Sequence, residues 1–153
     1  VTSTLLVLRH AKAVDGGDMP DAARPLAPRG RADAAAAGDW LRANGLVPGA
    51  ALCSTAVRTR ETLDALAIDT AVDYEPLIYD NDASVLARLV READAPETLL
   101  LVGHNPSVQQ LVFDLAGEGP STYPTCTLAV ITFGTGWPDA WPGTGTLKTV
   151  RTA

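Results

Sequence analysis

Two five-residue apolar runs constrain this chain more than any other feature: residues 4–8 (TLLVL) and 98–102 (TLLLV). Neither alternates with polar residues, and both are too short for a buried helix. Such runs read as strands covered on both faces, the signature of a parallel sheet with helices on either side. Residues 50–53 form a third, shorter candidate strand. Residues 125–133 (TCTLAVITF) read as a further strand, and 147–150 as its return.

Helical patterns fall between these runs. Pro28 opens an alanine-rich helix to about Ala43, stopped by Asn44-Gly45. A second helix is predicted over 55–67, with Thr59, Thr62, Leu63 and Leu66 facing inward. Leu86, Leu89, Val90 and Ala93 have amphipathic spacing, with Asn81 or Asp82 as the cap. Val108, Leu111, Val112 and Leu115 repeat that stripe up to Gly117. Strands alternating with helices predict an α/β protein with three α/β/α layers and a mainly parallel central sheet, its last two strands forming an antiparallel edge. With 153 residues, no repeat and no linker, one domain over 1–153 is expected.

Composition narrows the class. At 46% apolar and 20% charged the chain is not disordered, and no apolar stretch is long enough to span a bilayer. A net charge of −6 argues against general nucleic-acid binding. Cys53 and Cys126 are the only cysteines and make no C-x-x-C pair. Two free buried thiols are expected, a bridge between them being the alternative. The first residues lack a basic segment ahead of their apolar run, so no signal peptide is expected and a cytoplasmic enzyme is the default.

The chemistry should lie beyond the carboxyl ends of the strands. The first strand ends in Arg9-His10, the second in Cys53-Ser54-Thr55 with Arg58 following, and the third in Gly103-His104-Asn105. His10 and His104 are the only histidines, so both fall at one edge. If Ser54 or Thr55 caps the second helix, Arg58 sits in its first turn, where a cation opposes the macrodipole by roughly 0.3–1 kcal/mol. An anion held jointly by Arg58 and the helix N–H groups removes the conflict, whereas pairing with a surface carboxylate is the structural alternative. Arg60 points to another face and is read as solvated. Asn105 and Pro106 read as the cap and first residue of a helix aimed at the same edge. Two arginines, two histidines and two helix starts suit a phosphoryl dianion. Neither a P-loop nor G-x-G-x-x-G is present.

Arg9-His10, C-S-T-x-x-R-T-x-x-T (residues 53–62) and V-G-H-N-P (residues 102–106) resemble the histidine phosphatase superfamily of phosphoglycerate mutase-like fold. The D-x-x-R-P-L sequence (residues 21–26) and short length resemble its SixA-type phosphohistidine phosphatases. The resemblance runs from about residue 4 to 116, and Ala11 stands where glycine is common. It implies that His10 is the nucleophile and that Arg9, Arg58 and His104 bind and stabilise the phosphoryl oxygens, with no metal or cofactor; Asn105, at the helix start beside His104, is read as a further phosphate-binding residue. The implied partner is a protein bearing phosphohistidine, with inorganic phosphate as product. A small-molecule phosphomonoesterase and a non-catalytic phosphate-binding module are the alternatives.

Ester hydrolysis would need a general acid. Candidates are Glu75, taken first, then Asp80 and Asp82, or Asp15, Asp18 and Asp21; none is marked by spacing. A phosphohistidine substrate relaxes the need, since imidazole leaves more readily than an alkoxide. Lys12 could touch a phosphate or be a surface lysine. Arg24 could hold its loop against Asp21 or reach the pocket. Trp137 and Trp141 are expected to cover the edge strands.

Overall fold

The two apolar runs lie side by side at the centre of a six-stranded sheet. The computed structural model describes residues 2–153. Strands β1 (Ser3–Arg9), β2 (Ala50–Cys53), β3 (Ala71–Tyr74) and β4 (Thr98–Gly103) are parallel, while β5 (Leu128–Phe133) and β6 (Thr146–Arg151) close one edge antiparallel. The spatial order is β3-β2-β4-β1-β5-β6. Helices α1 (Pro28–Ala43), α2 (Val57–Ala65), α3 (Pro76–Tyr79), α4 (Ala83–Glu92) and α5 (Ser107–Ala116) complete the three layers.

Alternate residues of the central strands enter opposite cores. Leu5, Val7, Leu99 and Leu101 pack with Ile78, Leu86, Val90, Val108 and Leu111 of α3, α4 and α5. Leu6, Leu8, Leu100 and Val102 pack with Ala34, Ala37 and Leu41 of α1 and with Leu63 of α2. A strand buried on both faces has no polar positions to alternate, which is why these runs are continuous. The small face of α1 lets it approach α2 closely. A Cβ on Gly38 would collide with the Leu66 carbonyl, and Arg42 Nη1 donates to that same oxygen at 3.0 Å.

The architecture agrees with the sequence reading, with three corrections. β3 and the four-residue α3 were not foreseen; all of β3 is exposed, so burial leaves no apolar signal there. α2 is shorter than 55–67, with Ala56 rather than Ser54 or Thr55 at its N-cap. Asn105 is not the cap of α5: Pro106 holds that position, and Asn81 Oδ1 accepts from Ser107 N–H at 3.1 Å. Asn81 takes φ 62°, a left-handed conformation that Asn tolerates, and its amide reaches across to α5. Asp82 alone caps α4, accepting from Ser84 N–H at 2.9 Å.

Candidate active site

Strand register brings three chain segments to one point. Arg9 is opposite Gly103 and Cys53 is opposite Val102, so His10, Ser54 and His104 all leave the sheet at its carboxyl edge. The connection after β1 leads to α1 on one face, and that after β4 leads to α5 on the other. Adjacent strands whose connections diverge open a crevice between them. The rings of His10 and His104 meet there, their centroids 5.5 Å apart.

His10 is 8% exposed, and its Nδ1–H donates to the Ala11 carbonyl at 2.8 Å. A carbonyl only accepts, so the proton resides on Nδ1 and the lone pair on Nε2. Burial pushes the ring's pKa down to about 4, and Arg58, Arg9 and Arg24 push the same way, against the Ala11 hydrogen bond. His104 is driven to about 3 by burial, then by Arg58 and His10. Both imidazoles are neutral at pH 7. His104 Nε2 lies 2.8 Å from Ser54 Oγ, and its buried Nδ1 has no hydrogen-bond partner.

Each arginine is held by a loop. Arg9 Nη1 donates to the Tyr123 carbonyl at 3.0 Å, while the Tyr123 hydroxyl donates to the Val7 carbonyl at 2.7 Å. Burial and then Arg58 lower the pKa of Arg9. Arg58, 6% exposed at the second residue of α2, donates through Nη1 to the Asp21 carbonyl (2.9 Å) and through Nη2 to Asp21 Oδ2 (3.1 Å). The Nε atoms of both arginines are buried without partners. Three nitrogens of the cluster, Arg9 Nε, Arg58 Nε and His104 Nδ1, therefore lack protein acceptors among the described residues.

Asp21 and Tyr79 join the cluster. The Tyr79 hydroxyl donates to Asp21 Oδ2 at 2.6 Å, and Arg24 Nε donates to Oδ1 at 3.1 Å. Tyr79 also stands edge-on to His104, centroids 5.5 Å apart, with the Arg58 guanidinium carbon 6.0 Å from its ring. The Tyr79 hydrogen bond, then those of Arg58 and Arg24, holds the Asp21 carboxyl at about 2. Arg24 thus braces the D-x-x-R-P-L loop, and Arg58 combines both of its sequence readings: a carboxylate partner and a place beside the histidines. Tyr79 was missed because its helix is too short to show periodicity.

The other candidates make the following contacts. Glu75 Oε1 accepts from Leu77 N–H at the start of α3, and the residue lines a cavity of about 450 Å³ with Leu52, Asp73, Leu89 and Glu92. Asn105 Nδ2 donates to Gln109 Oε1 at 3.4 Å, and its carbonyl accepts from Asn81 Nδ2 at 2.8 Å. Asn105 does not hold the cap position that the sequence reading gave it, and its Oδ1 is buried without a partner among the described residues. Lys12 is exposed, and Arg60 lies 5.3 Å from the Tyr74 ring. Cys53 and Cys126 are unpaired thiols, raised by burial to about 12 and about 11. Trp137 packs on Phe133 and donates to the Pro96 carbonyl, whereas Trp141 is 54% exposed beneath Arg91.

The three-layer fold brings two neutral histidines and two arginines together at the carboxyl edge of its sheet, a set of groups whose chemistry suits a phosphoryl dianion. No protein-family model matches the chain. An uncharacterized Mycobacterium tuberculosis protein is 37% identical over 151 residues, covering 92% of this chain and 96% of that one. The structure of SixA from Nakamurella multipartitia superposes with a TM-score of 0.88 at 31% identity, over 99% of this chain and 96% of that one. A protein histidine phosphatase SixA solved with tungstate shares the fold, with a TM-score of 0.82 at 21% identity over 96% and 95% of the two chains. The chain belongs to the histidine phosphatase superfamily, among its SixA-type members. It is accordingly a phosphatase of that superfamily, with a phosphorylated substrate and phosphate as product.

Proposed function

We propose that this phosphatase removes the phosphoryl group from phosphohistidine on another protein, through a covalent phosphohistidine at His10. The observation that carries this reading is the His10 ring, neutral and hydrogen-bonded to Ala11 through Nδ1. Its Nε2 lone pair attacks phosphorus, and the phosphorus–nitrogen bond breaks as the substrate imidazole, protonated from solvent on its other ring nitrogen, leaves as a neutral ring. Water then attacks phosphorus, the bond to His10 breaks, and phosphate leaves. Covalent transfer divides one difficult displacement into two easier ones.

Arg9, Arg58 and His104 supply donors for the phosphoryl oxygens. The unpartnered Arg9 Nε, Arg58 Nε and His104 Nδ1 suit that role, because donors already in place cost no reorganisation during transfer. Asp21 favours a nitrogen leaving group over an alkoxide. It is the carboxylate hydrogen-bonded to Arg58, yet its pKa of about 2 makes it an anion at pH 7, unable to protonate an alkoxide. An imidazole leaves without that help. The Nakamurella relative, described as a phosphohistidine phosphatase, favours the same class of substrate, and the tungstate held by the other SixA relative is an oxyanion of the phosphoryl kind.

Comparing a phosphohistidine peptide with a panel of sugar and nucleotide phosphates tests the assignment. The peptide should show at least about tenfold higher kcat/KM, a difference of 1.4 kcal/mol in transition-state binding. Equal or faster ester turnover would instead identify a phosphomonoesterase, and its loss in Glu75→Gln would name the general acid.

A further inference from the structure

We propose that Ser54 is a positioning residue, fixing the tautomer of His104 so that the ring turns Nδ1–H toward the phosphoryl group. Ser54 Oγ is fully buried, 2.8 Å from His104 Nε2. The same oxygen accepts from Ala56 N–H at 3.3 Å, and its own buried hydroxyl proton has no acceptor among the described residues other than His104 Nε2, so it is donated there. A neutral imidazole that accepts at Nε2 carries its proton on Nδ1. Burial keeps the ring neutral, with its pKa near 3. Nδ1 is the buried ring nitrogen without a protein partner, on a ring 5.5 Å from that of the proposed nucleophile.

The opposite tautomer would aim a lone pair at the oxygens that Arg9 and Arg58 attract. A buried lone pair facing developing negative charge repels it, whereas an N–H in that place stabilises it. Serine suits this position because its hydroxyl both accepts from the backbone and donates to the ring. Read from sequence alone it is a helix cap; Ala56 holds that place, and the role of Ser54 appears once register sets β2 beside β4.

The assignment rests on the phosphoryl-transfer reading for its purpose, but its test does not. The protein has two histidines, so a long-range 1H–15N spectrum of the labelled protein at pH 7 resolves both rings, and His104→Gln assigns them. Both should be neutral and protonated at Nδ1. In Ser54→Ala, His104 should shift toward the Nε2–H form. Inorganic phosphate affinity and kcat/KM on a phosphohistidine peptide should each fall about tenfold, the effect of one lost orienting hydrogen bond. Ser54→Thr, which keeps the hydroxyl, should restore the tautomer. A wild-type His104 protonated at Nε2, or a Ser54→Ala ring unchanged in tautomer, would overturn the proposal. Failure of the phosphatase reading would appear separately, as absent turnover beside an unchanged spectrum.

Discussion

At His10 the controlling quantities are which nitrogen holds the proton and at what pH the second one arrives. The Ala11 carbonyl decides the first, and burial among Arg58, Arg9 and Arg24 sets the second at about 4. Because the folded pKa lies below the ordinary 6.5, the nucleophile stays unprotonated through mildly acidic conditions. A pH profile of kcat/KM should therefore lack an acid limb near 6.5 and fall only toward pH 4; half-loss near 6.5 would contradict it. His104→Ala and Arg58→Ala should each lower kcat by about 100- to 1,000-fold, the usual cost of removing one donor to a developing oxyanion. Steady-state rates check this, and a loss under tenfold would remove the residue from that role.

That these residues would meet at one edge of the sheet was legible in the sequence for a physical reason. Strand ends at a parallel edge are where ligands bind, and a chain with two histidines at two such ends leaves few other readings. Tyr79 and the pairing of Asp21 with Arg58 were not legible. They depend on how a long loop and a four-residue helix meet in space, which leaves no mark in spacing.

At the scale of elements, burial determined what could be read. Both central strands and α1, α4 and α5 carry continuous or periodic apolar signals because each faces a core. The edge strand β3 faces none, and its four residues read as loop. Local cap chemistry misled at Asn105, because tertiary contact handed the α5 terminus to Asn81 instead. Close packing of α1 on α2 makes a prediction of its own. Gly38→Ala adds a methyl where the Leu66 carbonyl already sits, so the helices must separate. The better helix propensity of alanine offsets under about 1 kcal/mol. Overpacking costs roughly 1–3 kcal/mol, so the melting temperature should fall by several degrees. Calorimetry that shows no loss would mean the helices part freely.

For the whole molecule, a net charge of −6 surrounds a site that gathers arginines. Stability and function are coupled through the buried histidines. Unfolded, each titrates near 6.5; folded, they do so at about 4 and about 3. The unfolded chain binds protons first, so their contribution is fully present above pH 6.5. It is lost as pH falls toward the folded values. The melting temperature should drop between pH 7 and pH 4.5, and His104→Gln should lose less over that span. Phosphate binding the folded state should raise the melting temperature, by about 2.7 kcal/mol of stability at a hundredfold excess over Kd. Salts of equal ionic strength without an oxyanion should not reproduce that rise.

The central claim is a covalent step at His10. Mixing the protein with a 32P-labelled phosphohistidine peptide and quenching rapidly in alkaline denaturant should leave label on the chain. That label should be stable to base, labile to acid, recovered in the peptide containing His10, and absent from His10→Ala. Full turnover by His10→Ala, or rapid turnover by the wild type with label never retained on His10, would contradict the account.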